Sequence, residues 1–259
     1  MKLRNLLLFT ISIATSMILA ILFVAELLRS EKINYALFFD GVDDYIQVEN
    51  TNVVNQIGSG DFTFSVLVYA LESEQVRHPQ IMSNRLTEGI GFLFGFHGRW
   101  RGSKNKIPYV QLDSINWIGY PDQPNLLDGQ WHHFVARKQG DRLTYFADGK
   151  LVASLTTSRI GNYNLASEQP LLIGWDLVNK SQTHFKGKID ELSIWNRALT
   201  DAEIESKMLY SLRGNEPGLI SYWPFDEGSG NLVRDKSGNG NDGTIYGGAV
   251  WTTGWVSEI

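Results

Sequence analysis

Runs of alternating hydrophobic and polar residues follow one another along the chain from about residue 34 onward, and turn-forming residues separate them. The clearest run, DFTFSVLVYA, has the period of two that a strand with one buried face requires, and it groups four apolar side chains: Phe62, Phe64, Val66 and Val68. Five other runs, rich in β-branched and aromatic residues, also predict strands: GIGFLFGF, QWHHFVARK, QPLLIGW, KIDELSIWN and LISYWPF. The pattern favours an antiparallel β sandwich over alternating strands and helices.

Two segments predict local structures with defined ends. In RLTYFADGKLVAS, Asp148 and Gly149 lie between two apolar runs and suit the positive φ angles of a type I′ hairpin turn. In TDAEIESKMLYSL, Thr200 and Glu203 have the spacing of a helix capping box, and Gly214 follows the segment. The sandwich is therefore expected to carry one short surface helix.

The N-terminal segment differs from the rest, because residues 6–25 form an apolar run without a charge. At about 1.5 Å per residue, a helix of this length crosses about 30 Å of hydrocarbon. The run is longer than the apolar region of a cleaved signal peptide, and no small-x-small cleavage site precedes Glu26. We therefore predict that residues 1–33 form a transmembrane signal anchor and that residues 34–259 lie on the extracytoplasmic side. Secretion after signal cleavage is the alternative.

Composition narrows the classes of partner and cofactor. The chain has no cysteine, which excludes disulfides and thiolate metal sites, so a structural cation would need the oxygen ligands that calcium prefers. The formal net charge is −5, and the first 32 residues carry four cationic against two acidic side chains, which leaves −7 on the rest. An acidic body argues against a nucleic-acid partner.

One basic cluster interrupts the acidic body in a stretch rich in glycine, serine and asparagine. It surrounds Trp100 and consists of Arg99, Arg101, Lys104 and Lys106. A solvated loop is the simpler interpretation of such a run, and an anion-binding patch is the alternative.

Four stretches occur in order along the body: ALFFDGVDDYIQV, DGQWHHFVARKQGDRLTYFADGKLVAS, FKGKIDELSIWNRALTDAEI and GLISYWPFDEGSGNLVRDKSGNGNDGTI. Together they resemble the laminin G-like, concanavalin A-like jelly rolls of the pentraxin and lectin type, over most of residues 35–247. The resemblance implies a jelly-roll sandwich that frequently carries structural or ligand-bridging calcium. The predicted fold class is thus an all-β, antiparallel jelly-roll sandwich with one short surface helix, preceded by an N-terminal transmembrane helix.

The last of these stretches departs from the family pattern, because it commonly opens a module and here it closes the chain. Residues 219–255 could supply terminal strands that close the same sandwich, or they could be the start of another repeat. An orphan strand pair would expose a large apolar patch of aromatic side chains, so we expect closure.

Three acidic segments supply candidate calcium ligands. In DKSGNG, residues Asp235 and Asn239 follow the first half of a calcium-loop pattern, but Tyr246 stands at the twelfth position, where an EF-hand needs glutamate. A plain glycine-rich turn, with Asp235 and Asp242 as caps, is the alternative. Strand alternation places Asp190 on the face of Leu192 and Ile194, where a carboxylate would need a partner.

The DGVDDY turn brings together Asp40, Asp43 and Asp44, whose mutual repulsion a divalent cation would relieve. We therefore predict a calcium site with Asp190 as the first candidate ligand. The remaining ligands are expected from two loops: Asp40, Asp43, Asp44, Asp235, Asn239 and Asp242.

Catalytic patterns are weak. A glycosidase arrangement common on this fold is E-x-D-x-E along one strand, but here lysine and leucine stand at positions 188 and 192 around Asp190. His132 and His133 are adjacent in a strand and so face opposite sides, which makes them unsuitable as a metal pair. The sequence favours a binding protein over an enzyme, and a polysaccharide-active enzyme is the weaker alternative.

Lectin-like sandwiches bind sugars through aromatic side chains on exposed loops. The predicted ligand-binding residues are Trp100, Trp117 and Tyr120, with Tyr109 and Trp175 as further aromatic candidates. We therefore expect a membrane-tethered module that binds a glycan or a protein surface. A structural or assembly module that binds no sugar remains open.

Overall fold

The computed structural model describes residues 33–49, 52–87, 90–98, 106–112, 124–178, 180–207 and 210–256. Fifteen strands occur in chain order: β1 (Tyr35–Asp40), β2 (Tyr45–Val48), β3 (Phe62–Leu71), β4 (Gln80–Ser83), β5 (Leu93–His97), β6 (Ile107–Gln111), β7 (Asp128–Gln139), β8 (Arg142–Ala147), β9 (Lys150–Thr156), β10 (Leu171–Ile173), β11 (Lys186–Trp195), β12 (Leu219–Trp223), β13 (Leu232–Val233), β14 (Gly243–Tyr246) and β15 (Val250–Thr253). Within the described residues, three short α-helices accompany them: α1 (Asn52–Asn55), α2 (Ser158–Asn162) and α3 (Asp201–Lys207).

The strands form two antiparallel sheets. The first has the order β15-β1-β11-β3-β7-β8-β9, and β12 also pairs with β11. The second has the order β13-β14-β2-β10-β4-β5-β6. The all-β antiparallel prediction is confirmed, and the crossing connections between the sheets are consistent with a jelly-roll sandwich.

One hydrophobic core is built from alternate residues of both sheets. The four side chains that the alternation in β3 grouped together, Phe62, Phe64, Val66 and Val68, are all fully buried in this core. The predicted hairpin also forms, because Asp148 and Gly149 have φ angles of 49° and 73° between β8 and β9.

The predicted surface helix is α3, which begins directly after Thr200. The capping box forms as expected: the Glu203 main-chain N–H donates to Thr200 Oγ1 (3.2 Å), and the Thr200 N–H donates to Glu203 Oε2 (2.8 Å). Ile204 of this helix packs into a second apolar cluster with Val135 and Trp195. Helices α1 and α2 were not predicted, since segments of four and five residues are too short to show helical periodicity.

The predicted face of Asp190 was wrong. Asp190 pairs with Leu67 of β3, whereas the core residues Ile189 and Leu192 lie on the other face. A β-bulge after Asp190, with Glu191 at a φ of 51°, adds one residue to β11 and reverses the alternation. Side chains alternate strictly between the two faces only where a strand pairs without interruption. The sequence pattern therefore could not locate this bulge.

The C-terminal segment contributes strands to both sheets. Strand β12 pairs with β11, β14 pairs with β2, and β15 pairs with β1. The aromatic side chains Trp223 and Phe225 of this segment are fully buried in the core.

The predicted anchor at residues 6–25 lies outside the residues that the structure describes. Within the described part of the chain, no helix has the length and apolar character needed to cross a membrane.

Antiparallel pairing gathers one set of strand ends at the same edge of the sandwich, here called the upper rim. Asp40 pairs with Lys186, Tyr45 with Tyr246, and His97 with Ile107, so the connections beyond these residues meet there. The upper rim comprises residues 40–44, 72–79, 174–178, 180–185 and 247–249, together with Gly98 and Lys106.

Candidate functional site

The loop that joins β1 to β2, residues 40–44, carries three carboxylates and is called the acidic loop. One oxygen from each of Asp40, Asp43 and Asp44 lies within 4.8 Å of the others. The Asp40 N–H donates to Asp44 Oδ2 (2.8 Å), and the Val42 N–H donates to Asp40 Oδ1 (2.7 Å), so the loop folds back on its own side chains. Burial raises the pKa of Asp44, and the charges of Asp40 and Asp43 raise it further.

These carboxylates suit a hard divalent cation. Asp44 is only 3% exposed, whereas Asp40 and Asp43 are exposed, so an ion here would have protein oxygens on one side and solvent on the other. Calcium takes six to eight oxygen ligands, and three carboxylates leave positions for water or for ligand hydroxyls. Within the described residues, Asp40, Asp43 and Asp44 form the group of three acidic or histidine side chains that lie close enough to share one ion.

A row of four rings, called the aromatic row, lies beside the acidic loop. Tyr246 stacks on Tyr45 with centroids 5.1 Å apart and planes 15° apart, and Tyr45 contacts Trp175 at 5.0 Å. Trp175 in turn stacks on His184 at 5.2 Å. Tyr45 points outward because Ile46, the next residue in β2, belongs to the core.

His184 joins the aromatic row to the acidic loop. Its ring donates a hydrogen bond to the Asp44 main-chain oxygen, and Nδ1 has no partner, so Nε2 carries the proton. Burial lowers the pKa of His184, although the carboxylates of Asp43 and Asp40 oppose the shift. The imidazole is therefore a neutral donor at physiological pH.

A buried ion pair fixes the backbone next to Trp175. Asp176 is completely buried, accepts from Arg85 Nε (3.3 Å) and Nη2, and also accepts from Ser83 Oγ (3.0 Å). Arg85 is itself only 5% exposed. A bidentate pair that is buried on both sides holds the main chain at Asp176 in one geometry, next to Trp175.

The turn after β14 packs directly on the acidic loop. Gly247 has a φ of 84°, and a Cβ atom on it would lie 2.3 Å from the Asp43 main-chain oxygen. Only glycine can adopt this conformation with the loop so close. The C-terminal stretch therefore supports the acidic loop through its backbone.

The other predicted ligands of the C-terminal stretch form a separate hydrogen-bonded turn. Asp235 accepts from the main-chain N–H groups of Tyr222, Ser237 and Asn241, at 3.0, 2.9 and 3.1 Å. Asn239 donates to the Ile220 carbonyl (2.8 Å). Asp242 completes the turn by accepting from the Asp235 N–H (2.8 Å). This turn packs against β12, whereas the acidic loop packs against the start of β11.

Asp190 lies in a third environment. Its side chain is fully buried and accepts from the Trp255 and Glu191 N–H groups, both at 2.9 Å, and from Asn34 Nδ2 at 3.4 Å. Burial raises its pKa to about 8. The structure therefore does not bring Asp190 into the group formed by Asp40, Asp43 and Asp44.

The predicted sugar-binding residues Trp100, Trp117 and Tyr120 lie outside the described residues. Of the aromatic row, Trp175 was among the aromatic candidates in the sequence, but Tyr45, Tyr246 and His184 were missed. Alternation in YIQV could have placed Tyr45 outward, whereas its pairing with Tyr246 depends on contacts between distant strands.

Comparisons with known proteins agree with this architecture. Residues 40–205 match the family model of the concanavalin A-like lectin/glucanases superfamily, laminin G type. Among curated proteins, no sequence matches this chain.

Solved structures share the fold. A candidate carbohydrate binding protein from Bacteroides ovatus is similar with a TM-score of 0.66 and 21% identity, over 86% of this chain and 60% of that protein. The native heptameric SAP-like pentraxin from Limulus polyphemus is similar with a TM-score of 0.57 and 14% identity, over 88% of this chain and 99% of the pentraxin. This chain thus spans less than two thirds of the Bacteroides protein, and at these identities the similarity shows the fold alone.

Proposed function

The chain belongs to the concanavalin A-like lectin/glucanase superfamily, and we propose that it is a non-catalytic module that binds a glycan at the upper rim. The observation that carries the proposal is the aromatic row beside the acidic loop. Tyr246 ends this row and is 41% exposed, so its ring is accessible to the apolar face of a sugar. The carboxylates next to it can accept hydrogen bonds from sugar hydroxyls.

The proposal includes calcium held by Asp40, Asp43 and Asp44. When bound, the ion would offer coordination positions to sugar hydroxyls beside the aromatic row. His184 would then position the main chain of Asp44 relative to Trp175, since it contacts both.

The fold neighbours support binding rather than catalysis, because the Bacteroides protein is described as carbohydrate binding. Lysine and leucine flank Asp190 where the glycosidase strand pattern needs glutamates. We further propose that residues 6–25 anchor the module in a membrane and that its binding face is extracytoplasmic. The motivation is the uncharged apolar run in the sequence.

A glycan array probed with the protein, once with calcium and once with chelator, tests the function. We expect binding to one class of glycan, and we expect Tyr246→Ala to weaken it about fivefold through lost aromatic contact. Tyr210→Ala is the matched control, because Tyr210 is 62% exposed and lies outside the aromatic row. Absence of any glycan signal would indicate the assembly module instead. Equal loss in both variants would show that the aromatic row is not the binding site.

A further inference from the structure

An opening on the upper rim lies between the β3–β4 connection and the facing ends of β5 and β6. It is called the basic cleft and is lined by Glu72, Ser73, Gln75, Arg77, Gly98 and Lys106. Lys106 belongs to the basic cluster around Trp100, for which an anion-binding patch was one of the two interpretations of the sequence. Among the described lining residues, two cations face one carboxylate, in a body whose net charge is otherwise negative.

Two neutral histidines lie next to the basic cleft. The rings of His78 and His97 are 4.2 Å apart, and each has a pKa lowered to about 4. Burial is the main cause for both, and for His78 the neighbouring His97 ring is the next. The positive charges of Arg77 and Lys106 lower the pKa of each ring further. Both rings therefore lie within the positive potential of Arg77 and Lys106.

The hydrogen bonds to Gly98 show which ring nitrogen of each histidine carries the proton. The Gly98 N–H donates to His78 Nδ1 (3.2 Å), so the proton of neutral His78 is on Nε2. His97 Nδ1 lies 2.6 Å from the Gly98 oxygen and carries its proton there. Both rings are held in fixed tautomers by the main chain at the edge of the cleft.

Main-chain contacts place the basic cleft and the acidic loop on the same rim. Gln75 accepts from the Lys186 N–H (3.1 Å), and Lys186 pairs with Asp40 across β1 and β11. The His78 N–H donates to the Gln182 oxygen (2.9 Å), two residues before His184 of the aromatic row. An elongated ligand on this rim would therefore meet aromatic rings and carboxylates on one side and cations on the other.

We propose that the basic cleft is a second subsite, which binds a carboxylate or sulfate group carried by the same glycan. This inference rests on the proposed function, because it assigns the anionic part of that ligand. The planar guanidinium of Arg77 can hold such an oxyanion with two parallel hydrogen bonds, and Lys106 adds a point charge.

Pairs of polymers that differ only in charge provide the test. Isothermal titration would compare dextran sulfate with dextran, and polygalacturonate with its methyl ester, so that sulfate and carboxylate are examined separately. We expect the charged member of at least one pair to bind about tenfold more tightly, and Arg77→Gln to abolish this difference. Arg142→Gln is the matched control, because Arg142 is exposed and starts β8 at the opposite rim.

Histidine titration by NMR gives an independent readout. An anion in the basic cleft offsets the charges of Arg77 and Lys106, so the pKa values of His78 and His97 should rise from about 4 when the charged polymer is added. Arg77→Gln should remove this rise. Unchanged histidine titration, or equal losses in Arg77→Gln and Arg142→Gln, would overturn the subsite.

The two proposals fail in different ways. If neutral glycans bind through Tyr246 but charge adds nothing, the anionic subsite is wrong and the proposed function stands. If dextran sulfate binds through Arg77 while Tyr246→Ala has no effect on any glycan, the cleft is an anion site and the proposed function is wrong.

Discussion

The His184 imidazole stacks on the Trp175 indole, with ring centroids 5.2 Å apart and ring planes 10° apart. The same imidazole donates to the main-chain oxygen of Asp44. One side chain thus contacts both Trp175 and the acidic loop, although His184 and Asp44 are about 140 residues apart in the sequence. Loss of this side chain should affect sugar contact and cation binding together.

His184→Ala should weaken glycan binding and calcium binding, each about three- to tenfold, because Trp175 loses its stacking partner and Asp44 loses a donor. Titration calorimetry of the variant with calcium and with the glycan identified on the array measures both. His132→Ala is the control, since His132 pairs with Asp128 and Asp148 and does not contact the aromatic row. A change in only one affinity would show that His184 does not couple the two parts.

The turn at Gly247 and Gly248 offers a closely matched pair of substitutions. Both residues have positive φ angles, 84° and 118°, but a Cβ atom meets the Asp43 carbonyl at residue 247 and nothing within 4 Å at residue 248. Gly247→Ala should therefore lower the free energy of unfolding by about 2 kcal/mol more than Gly248→Ala does, because it adds a steric clash to the shared backbone strain. Denaturant unfolding measures the difference, and equal costs would mean that the acidic loop can move away freely.

Calcium should raise the melting temperature of the protein, since a ligand that binds only the folded state stabilises it. Asp43→Asn should remove most of this rise with little change in the chelated protein, because Asp43 is exposed. Asp235→Ala should instead lower the melting temperature with and without calcium, since its carboxylate accepts several main-chain hydrogen bonds. Melting curves for the two variants distinguish the acidic loop from the turn, and loss of the calcium effect in Asp235→Ala alone would reverse the assignment.

Asp190→Asn should make the protein more stable at pH 8 and should flatten its pH dependence. The folded pKa of Asp190 is about 8, above its ordinary value of 3.8, so between these values the folded protein holds a proton that the unfolded chain has lost. Wild-type stability should consequently fall as pH rises from about 4 to about 8, by up to about 1.4 kcal/mol for each pH unit. The neutral amide removes this dependence.

Chemical denaturation at pH 5 and pH 8 tests that prediction, with Asp226→Asn as a control for general charge removal near the same site. Lower stability of Asp190→Asn at pH 8, together with weaker calcium binding, would mean that Asp190 acts in its ionised form. That outcome would support the original prediction of Asp190 as a calcium ligand.

The sequence by itself determined the class of fold and those elements whose pattern is local. Alternation in β3 gave the buried set from Phe62 to Val68, the Asp148-Gly149 pair gave a hairpin, and the Thr200–Glu203 spacing gave the start of α3. These features depend on neighbours within a few residues, so local sequence carries them. The acidic loop was also predicted, because Asp40, Asp43 and Asp44 lie within one short turn of the chain.

Tertiary structure alone decided which distant residues meet. The bulge after Asp190 depends on how β11 pairs with β3, and it moved that carboxylate away from the core and from the acidic loop. The aromatic row needs the register of β2 with β14 and the path of the chain after β10, which bring Tyr45, Tyr246 and Trp175 together. Such contacts are set by the packing of the whole sandwich, because no short segment contains the information that fixes the register between strands far apart in sequence.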